Sequence, residues 1–205
     1  VFTTDDDAHV HLIPGAGPNT GRRAIEVLCI ADIDGLIARG SNFLTSQMGD
    51  DGRFIYGWHP CFDKEINAYN TLRHTSTLYA MLESWEVTRD EDLKAAIDRG
   101  LDYLTDKLIG TATRDGAELA FLTEANGEIK LGGNAVCLLA LVKYSELTGS
   151  DRYLPLLEKL ALGIVYMQDQ ETGRFSHVLN YPSLDVKAPF RIIYYDGEAA
   201  FGLMR

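Results

Sequence analysis

Polar side chains near the starts of three otherwise apolar segments are the residues of this 205-residue chain best suited to chemistry. His74 and Asn134 occupy matching places sixty positions apart, and Glu198 follows the same Gly-x-Ala pattern as Asn134. A histidine and a carboxylate that face one cavity suffice for general acid/base chemistry, because burial and neighbouring charges shift either group toward neutral pH. We therefore expect Glu198 and His74 to be catalytic and Asn134 to bind substrate. The alternative is structural, with His74 and Asn134 capping helices and Glu198 as a favourable first-turn acid.

Aromatic and charged side chains close to these segments form a second group of candidates. The residues expected to contact a substrate are Tyr56, Trp58, His59, Arg73, His177, Tyr195 and Asp196. Aromatic rings with interspersed polar groups suit stacking on sugar rings or on an apolar or isoprenoid ligand, and packing of the loops is the structural alternative. Arg73 and Arg191 could hold a carboxylated substrate such as a uronic acid.

Two reaction types remain open for these residues. Hydrolysis by paired carboxylates requires a second acid about 5–10 Å from Glu198. The options for that second acid are Asp63, Glu65 and Asp196. An epimerase would use His74 and His177 instead.

Charge and composition exclude several classes of partner. The chain has 19 Lys and Arg against 30 Asp and Glu, a net charge of −11, which repels phosphate backbones and anionic lipids. We expect no nucleic-acid or membrane partner, and no apolar run approaches the ~20 residues that a bilayer span needs. The three cysteines lack zinc-type spacing, so we expect no metal. The sequence has no P-loop and no Gly-x-Gly-x-x-Gly motif, and we expect no tightly bound cofactor. No secretory leader opens the sequence, which predicts a cytoplasmic location.

Helical segments must position the candidate residues. Apolar side chains recur every three or four positions and predict helices over residues 22–47, 69–86, 90–108, 132–147, 151–168 and 196–205. Residues 1–21 are predicted to be irregular, and residues 22–205 to form one domain. Asn126-Gly127 between two short apolar segments predicts a β-hairpin inside a long loop.

Internal repeats indicate how these helices are arranged. Three pairs of segments match in register: residues 39–44 with 99–104, 88–90 with 148–150, and 47–54 with 168–175. Repeats of this length are typical of stacked helical hairpins, because one hairpin cannot bury its apolar face alone. The prediction is an all-α fold in which apolar inner helices are wrapped by outer ones, with short β-hairpins in the long loops. The polar helix starts would then point into a shared hollow.

Four segments of the sequence are also similar to those of a known superfamily. They are the Gln-x(3)-Asp-Gly-Arg-Phe turn (47–54), NTLRHTSTLYAMLES (70–84), LGGNAVCLLALVKYSELTG (131–149) and YYDGEAAFGLM (194–204). On these segments the chain resembles the α/α-toroid proteins: the six-hairpin glycosidases, the N-acylglucosamine 2-epimerase-like enzymes and, more distantly, the terpenoid and lanthionine cyclases. These families share a shape and no catalytic motif.

The resemblance implies a carbohydrate-active enzyme, a hydrolase or epimerase, that acts on a sugar or a uronic-acid-containing glycan. A closed toroid needs nearly twice the hairpins present here, so we expect a longer protein or a further chain or domain to complete it. The competing hypothesis is a helical-repeat binding or scaffold module that grips a glycan or peptide without turnover.

Overall fold

The computed structural model describes residues 2–4, 10–12 and 27–205. The chain divides into two compact units, residues 1–39 and 40–205. In the first unit, strands β1 (Phe2–Thr4) and β2 (Val10–Leu12) pair antiparallel. Helix α1 (Ile30–Ser46) crosses the division between the units. The predicted boundary between residues 21 and 22 lies outside the described residues, as does the predicted start of the first helix.

Five further helices form the scaffold of the second unit. They are α2 (Thr71–Thr88), α3 (Glu91–Tyr103), α4 (Leu131–Thr148), α5 (Leu154–Tyr166) and α6 (Tyr195–Met204). Helix α4 lies between α2 and α6 and packs against both, while α3 packs on α2 and α5 on α4. The periodicity of apolar residues therefore located the helices within a few residues, because one apolar stripe of each faces the core.

The prediction of an all-α fold is wrong, because strands contribute to the core and the chain is mixed α/β. Seven strands of the second unit form three small sheets: β3 (Trp58–His59) with β4 (Lys64–Glu65), β5 (Ile109–Arg114) with β6 (Ala117–Leu122), and β7 (Glu128–Lys130), β8 (Val178–Asn180) and β9 (Val186–Ala188) in that order.

The physical reason for the error lies in residues 109–122 and in long-range strand pairing. The β5–β6 hairpin turns at Asp115-Gly116, two residues with positive φ that suit a tight hairpin turn, and its register runs from Ile109↔Leu122 to Arg114↔Ala117. Four consecutive residues of β6 are buried, so this strand belongs to the core. Strand β7 pairs with β8 about fifty positions further on, which local periodicity does not detect.

The predicted turn at Asn126-Gly127 is present, although it closes a short connection. The Gly127 N–H donates to the Glu124 carbonyl at 2.9 Å, and Gly127 has a φ of 76°. A single bridge between Thr123 and Ile129 closes this turn. This short connection leads directly into β7. The long hairpin of this region is β5–β6, which precedes the connection.

The repeated links between helices have the same geometry in both copies. The Thr88 hydroxyl donates to the carbonyl four residues earlier, and Arg89 adopts a φ of 53°. The Thr148 hydroxyl makes the same bond at 2.7 Å, and Gly149 adopts a φ of 67°. A left-handed residue at this point ends a helix and reverses the chain. The repeat found in the sequence is therefore a repeat of structure.

The two Asp/Thr-Gly-Arg-Phe turns also correspond. Antiparallel bridges close them, Met48 with Phe54 in one and Gln168 with Phe175 in the other. In the first turn, Gly52 has a φ of 80°, and a β-carbon there would overlap the carbonyl of α3 against which the turn packs. The first turn is thereby held against α3 beside the start of α2.

The core of the second unit is an apolar cluster contributed by its helices and by β6. Its fully buried side chains include Leu78, Leu82, Ile97, Leu101, Phe121 and Leu141. In the part of the chain that the structure describes, no helix combines the length and apolar character that crossing a membrane would require.

Candidate functional site

The starts of α2, α4 and α6 lie side by side at one end of the second unit. A β-carbon placed on Gly133 of α4 would lie 3.6 Å from Leu72 Cβ of α2. A β-carbon on the adjacent Gly132 would overlap the Glu198 carboxylate and lie 2.5 Å from Tyr195 Cδ1, both on α6. The glycines thus allow the three helix starts to approach closely. His74, Asn134 and Glu198 therefore lie at the same end of the second unit, and their surroundings differ.

A cavity of about 320 Å³ opens beside the start of α2. We call it the aromatic cavity, and its defining residues are Phe54, Tyr56, Trp58, Tyr69, Arg73 and His74. The last residues of α1, the segment from the first Asp-Gly-Arg-Phe turn to Trp58, and helix α2 together supply its walls. No Asp or Glu is among its described lining residues. Four of the predicted site residues therefore share this cavity: Tyr56, Trp58, Arg73 and His74.

Arg73 gives the aromatic cavity a positive charge that no carboxylate of the described residues pairs with. Its Nη1 donates to the Tyr56 hydroxyl at 2.9 Å, and its guanidinium lies 5.2 Å from the centre of the Tyr56 ring. Within residues 27–205, no ion-pair partner faces the Arg73 side chain. A second guanidinium, that of Arg53, lies 4.6 Å from the centre of the Tyr69 ring. The face of an aromatic ring attracts a cation. The rings of Tyr69 and Tyr56 therefore hold the Arg53 and Arg73 guanidinium groups beside the cavity in place of a carboxylate.

His74 is fixed by two hydrogen bonds as a neutral imidazole. The Gly100 carbonyl, 3.0 Å away, only accepts, so Nε2 carries the proton and donates to it. Nδ1 therefore accepts from the Tyr69 hydroxyl at 2.7 Å. The side chain is 2 % exposed, and burial lowers the pKa of His74 to about 4, against a smaller opposing effect of the Gly100 hydrogen bond. His74 is thus neutral at pH 7, and it positions Tyr69 in the cavity wall.

Asn134 is fully buried, and within the described part of the chain its amide bonds only to backbone groups. Its Oδ1 accepts from the Leu122 N–H at 2.7 Å, and its Nδ2 donates to the carbonyls of Leu122 and Lys130 at 3.2 and 2.9 Å. These bonds tie the end of β6 to the start of α4.

Glu198, at the start of α6, has a carboxylate with one buried oxygen. Its Oε2 is buried against Gly132 and has no hydrogen-bond partner among the described residues. Burial raises the pKa of Glu198 above its ordinary value. An acid with a raised pKa retains its proton closer to neutral pH and can donate it.

A second cavity, of about 780 Å³, lies at the second repeated turn. We call it the aspartate cavity, and its defining residues are Asp169, Arg174, Phe175, His177, Phe190 and Asp196. His177 is 1 % exposed. Its Nδ1 accepts from the N–H groups of Arg191 and Ile192 at 2.9 and 3.1 Å, and its Nε2 lies 3.1 Å from Asp196 Oδ1. The structure therefore pairs two more of the predicted site residues, and the Tyr195 ring lies 5.5 Å from that of His177.

The remaining candidates lie elsewhere. His59 is exposed on the β3–β4 hairpin with its ring 6.3 Å from that of Phe62, and neither His59, Asp63 nor Glu65 lines the aromatic or the aspartate cavity. Arg191 donates to both oxygens of Glu128 at 3.2 and 3.3 Å. It is engaged in an ion pair, so it is not free for a substrate.

Glu128 is a buried carboxylate that the sequence analysis did not single out. Besides Arg191, it pairs with Lys187 at 3.0 Å, and its side chain is 8 % exposed. Burial by itself would raise the pKa of Glu128, but the bonds from Lys187 and Arg191 outweigh it and lower the pKa to about 2. The ion pairs of Glu128 with Lys187 and Arg191 stabilise the β7–β8–β9 sheet and the segment that follows this sheet.

The sequence analysis also missed one aromatic contributor to the site. Phe190 packs on His177 with ring centres 4.7 Å apart, and no pattern in the sequence indicates this. Across the described ranges, no group of three or more His, Cys, Asp or Glu side chains is placed to hold a metal ion.

Comparison with known proteins gives a limited result. No protein-family model matches the sequence, and no curated protein matches it. Among solved structures, a crystal structure of a possible member of the GH105 family from Klebsiella pneumoniae matches with 12% identity and a TM-score of 0.49. The match covers 89% of this chain and 59% of that one, so the chain spans less than two thirds of that protein. This is a weak likeness at the level of the fold.

Proposed function

We propose that this chain is a carbohydrate-active protein that binds a sugar bearing a carboxylate, such as a uronic-acid unit of a glycan, in the aromatic cavity. The observation that supports this proposal is Arg73. It is exposed, it bonds to the neutral Tyr56 hydroxyl, and it lines a cavity whose described lining includes no acid. A guanidinium binds a carboxylate through two parallel hydrogen bonds, which matches a sugar acid and not a neutral sugar.

The aromatic side chains suit the ring of the same ligand. Trp58 is 49 % exposed, and it lines the cavity together with Tyr56 and Tyr69. Exposed aromatic faces stack on the C–H face of a sugar ring. A volume of about 320 Å³ lies at the lower end of the range for small-molecule sites. The cavity therefore suits one or two sugar units.

For the chemical step we propose Glu198 as the proton donor. Its raised pKa and its unpartnered buried oxygen support this role. Because Glu198 is not among the described lining residues of the aromatic cavity, this role requires a glycan long enough to extend from that cavity to the start of α6. His74 was expected to share the step, but both of its ring nitrogens are engaged, so we assign it the positioning of Tyr69. None of the three candidates for a second acid lines the aromatic cavity: Asp196 lies in the aspartate cavity, and Asp63 and Glu65 lie on or beside the β3–β4 hairpin, so we assign none of them this role.

Binding can be tested by titration with trigalacturonate, with neutral galactotriose as the comparison ligand. The chain has two tryptophans, so the indole N–H signal of Trp58 in NMR spectra, assigned with W58F, reports on the cavity. We expect trigalacturonate to shift this signal. In R73Q, affinity should fall about ten-fold or more, since a charged hydrogen bond contributes about 1.5–3 kcal/mol.

The matched control for this charge change is K107Q. Lys107 is exposed beyond the end of α3 and lies in neither cavity. It should leave the affinity for trigalacturonate unchanged. Equal weakening by R73Q and K107Q would indicate a general effect of net charge and would contradict the proposed site.

The arrangement also favours a second candidate, a non-catalytic glycan-binding module. The specific observation is that the described lining of the aromatic cavity lacks an acid and that the His74 nitrogens are occupied. The two candidates differ in E198Q. An enzyme should lose release of reducing ends from oligogalacturonate while it still binds the ligand, whereas a binding module should show no release in either protein.

A further inference from the structure

We propose that the aspartate cavity is a second ligand site that binds a neutral sugar through the Asp196 carboxylate and the Phe190 ring, with His177 as the residue that positions Asp196. This inference does not depend on the aromatic cavity, because it rests on different residues and predicts a different ligand.

The position of the proton on the His177 ring determines which group can contact a ligand. Its Nδ1 accepts two backbone N–H groups, from Arg191 and Ile192, so Nδ1 carries no proton. The proton is therefore on Nε2, which donates to Asp196 Oδ1. Since both nitrogens are engaged and the ring is 1 % exposed, the imidazole is not the group that meets a ligand. It holds the carboxylate that does.

Asp196 is placed to accept hydrogen bonds from a ligand. Its side chain is 52 % exposed although one oxygen is held by His177. The other oxygen has no partner among residues 27–205, and Asp196 lines the aspartate cavity. A carboxylate accepts hydrogen bonds through both oxygens, so neighbouring hydroxyl groups of one sugar ring suit it.

Phe190 provides an apolar surface beside this carboxylate. The side chain is 64 % exposed, and its ring lies 4.7 Å from that of His177. A large exposed aromatic ring next to a fixed acceptor is an arrangement that binds the C–H face of a sugar while its hydroxyls reach the acceptor.

The charges of the aspartate cavity favour a neutral ligand over an acidic one. Asp196 and Asp169 are acidic, and Arg174 is the one cation among the described lining residues. Asp169 is engaged by its own turn, because its Oδ1 accepts from the Thr172 N–H and hydroxyl, both at 2.7 Å. A sugar carboxylate would approach the exposed Asp196 with the same charge, which disfavours its binding.

The test is a crossed titration of two variants with two classes of ligand. Four neutral trisaccharides (galactotriose, maltotriose, mannotriose and xylotriose) and trigalacturonate are titrated against the wild type, D196N and R73Q, with the NMR signals of Phe190 and His177 as reporters. We expect at least one neutral trisaccharide to shift these signals. Its affinity should fall about ten-fold or more in D196N and should be unchanged in R73Q.

D196N separates ligand binding from folding. The asparagine Oδ1 still accepts from His177, so the thermal midpoint should stay close to that of the wild type. The matched control is D185N, an exposed acid in the same loop region outside the cavity, which should bind as the wild type does.

The positioning role of His177 is tested by a pair of substitutions. A glutamine can accept from the backbone and donate to Asp196, so H177Q should retain part of the affinity that H177L loses. The proposal is overturned if none of the four neutral trisaccharides shifts the reporter signals, if D196N binds like the wild type, or if trigalacturonate binds this cavity more tightly than the neutral ligands.

Discussion

Acid should destabilise this protein through His74, and H74Q should remove that effect. The folded-state pKa of His74 is lowered to about 4, from an ordinary value of 6.5. The unfolded chain therefore takes up a proton first as the pH falls. The stability that a neutral His74 contributes is complete above about pH 6.5 and is lost as the pH falls toward about 4. The linkage relation gives a loss of about 2 kcal/mol at about pH 5 and about 3 kcal/mol at about pH 4.

The assay is urea unfolding of wild type and H74Q over the same range of pH. Glutamine can donate to the Gly100 carbonyl and accept from Tyr69, but it does not titrate. The wild type should lose about 2 kcal/mol more than H74Q between about pH 8 and about pH 5, because every other titrating group is common to both proteins. H59Q, which replaces an exposed histidine, is the control for removing an imidazole.

Two results would refute this reasoning. Stability curves of wild type and H74Q that stay parallel down to about pH 5 would show that His74 has no linked protonation. A direct NMR titration of the His74 ring with a midpoint at or above about 6.5 would show that burial does not disfavour its charged form.

Three further substitutions test the packing around the site. G52A should destabilise the protein by about 2 kcal/mol more than G173A, and denaturant midpoints measure this difference. Both glycines have positive φ, but a β-carbon would overlap backbone only at Gly52, where it meets the Arg99 carbonyl. E128Q should cost about 1.5–3 kcal/mol near neutral pH because Lys187 and Arg191 lose their charged hydrogen bonds to the buried carboxylate. Since the folded-state pKa of Glu128 is about 2, the difference from the wild type should vanish as the pH falls from about 4.5 to about 2. N134L should cost about 3 kcal/mol, because three backbone groups lose their partners, and calorimetry would show the loss as a lower thermal midpoint.

The helices and the repeat could be predicted from the sequence because each depends on neighbouring residues. The apolar stripe of α2 recurs every three or four positions, and the Thr-x-Asp/Ser links use side chains that bond within four residues. The strands could not be located in the same way. Pairing between β7 and β8 joins segments about fifty positions apart, and its stability comes from the core that forms when they meet.

Part of the predicted residue set lies in the two cavities, but the division of these residues between two cavities could not be predicted from the sequence. Residues 47–54 match residues 168–175, so Tyr56 and His177 each follow a repeated turn by two residues, and the structure puts them in the aromatic and the aspartate cavity respectively. The bonds that decide their roles are contacts between distant segments. His74 meets the Gly100 carbonyl, and His177 meets Asp196. Sequence spacing indicates that a histidine is near a helix start, but not which atoms occupy its nitrogens.

The most direct test of the account is a crystal structure of this chain soaked with trigalacturonate. We expect a sugar carboxylate within hydrogen-bond distance of the Arg73 guanidinium and a sugar ring stacked on Trp58. Ligand bound away from Arg73, or bound in the aromatic cavity with every carboxylate directed to solvent, would contradict it.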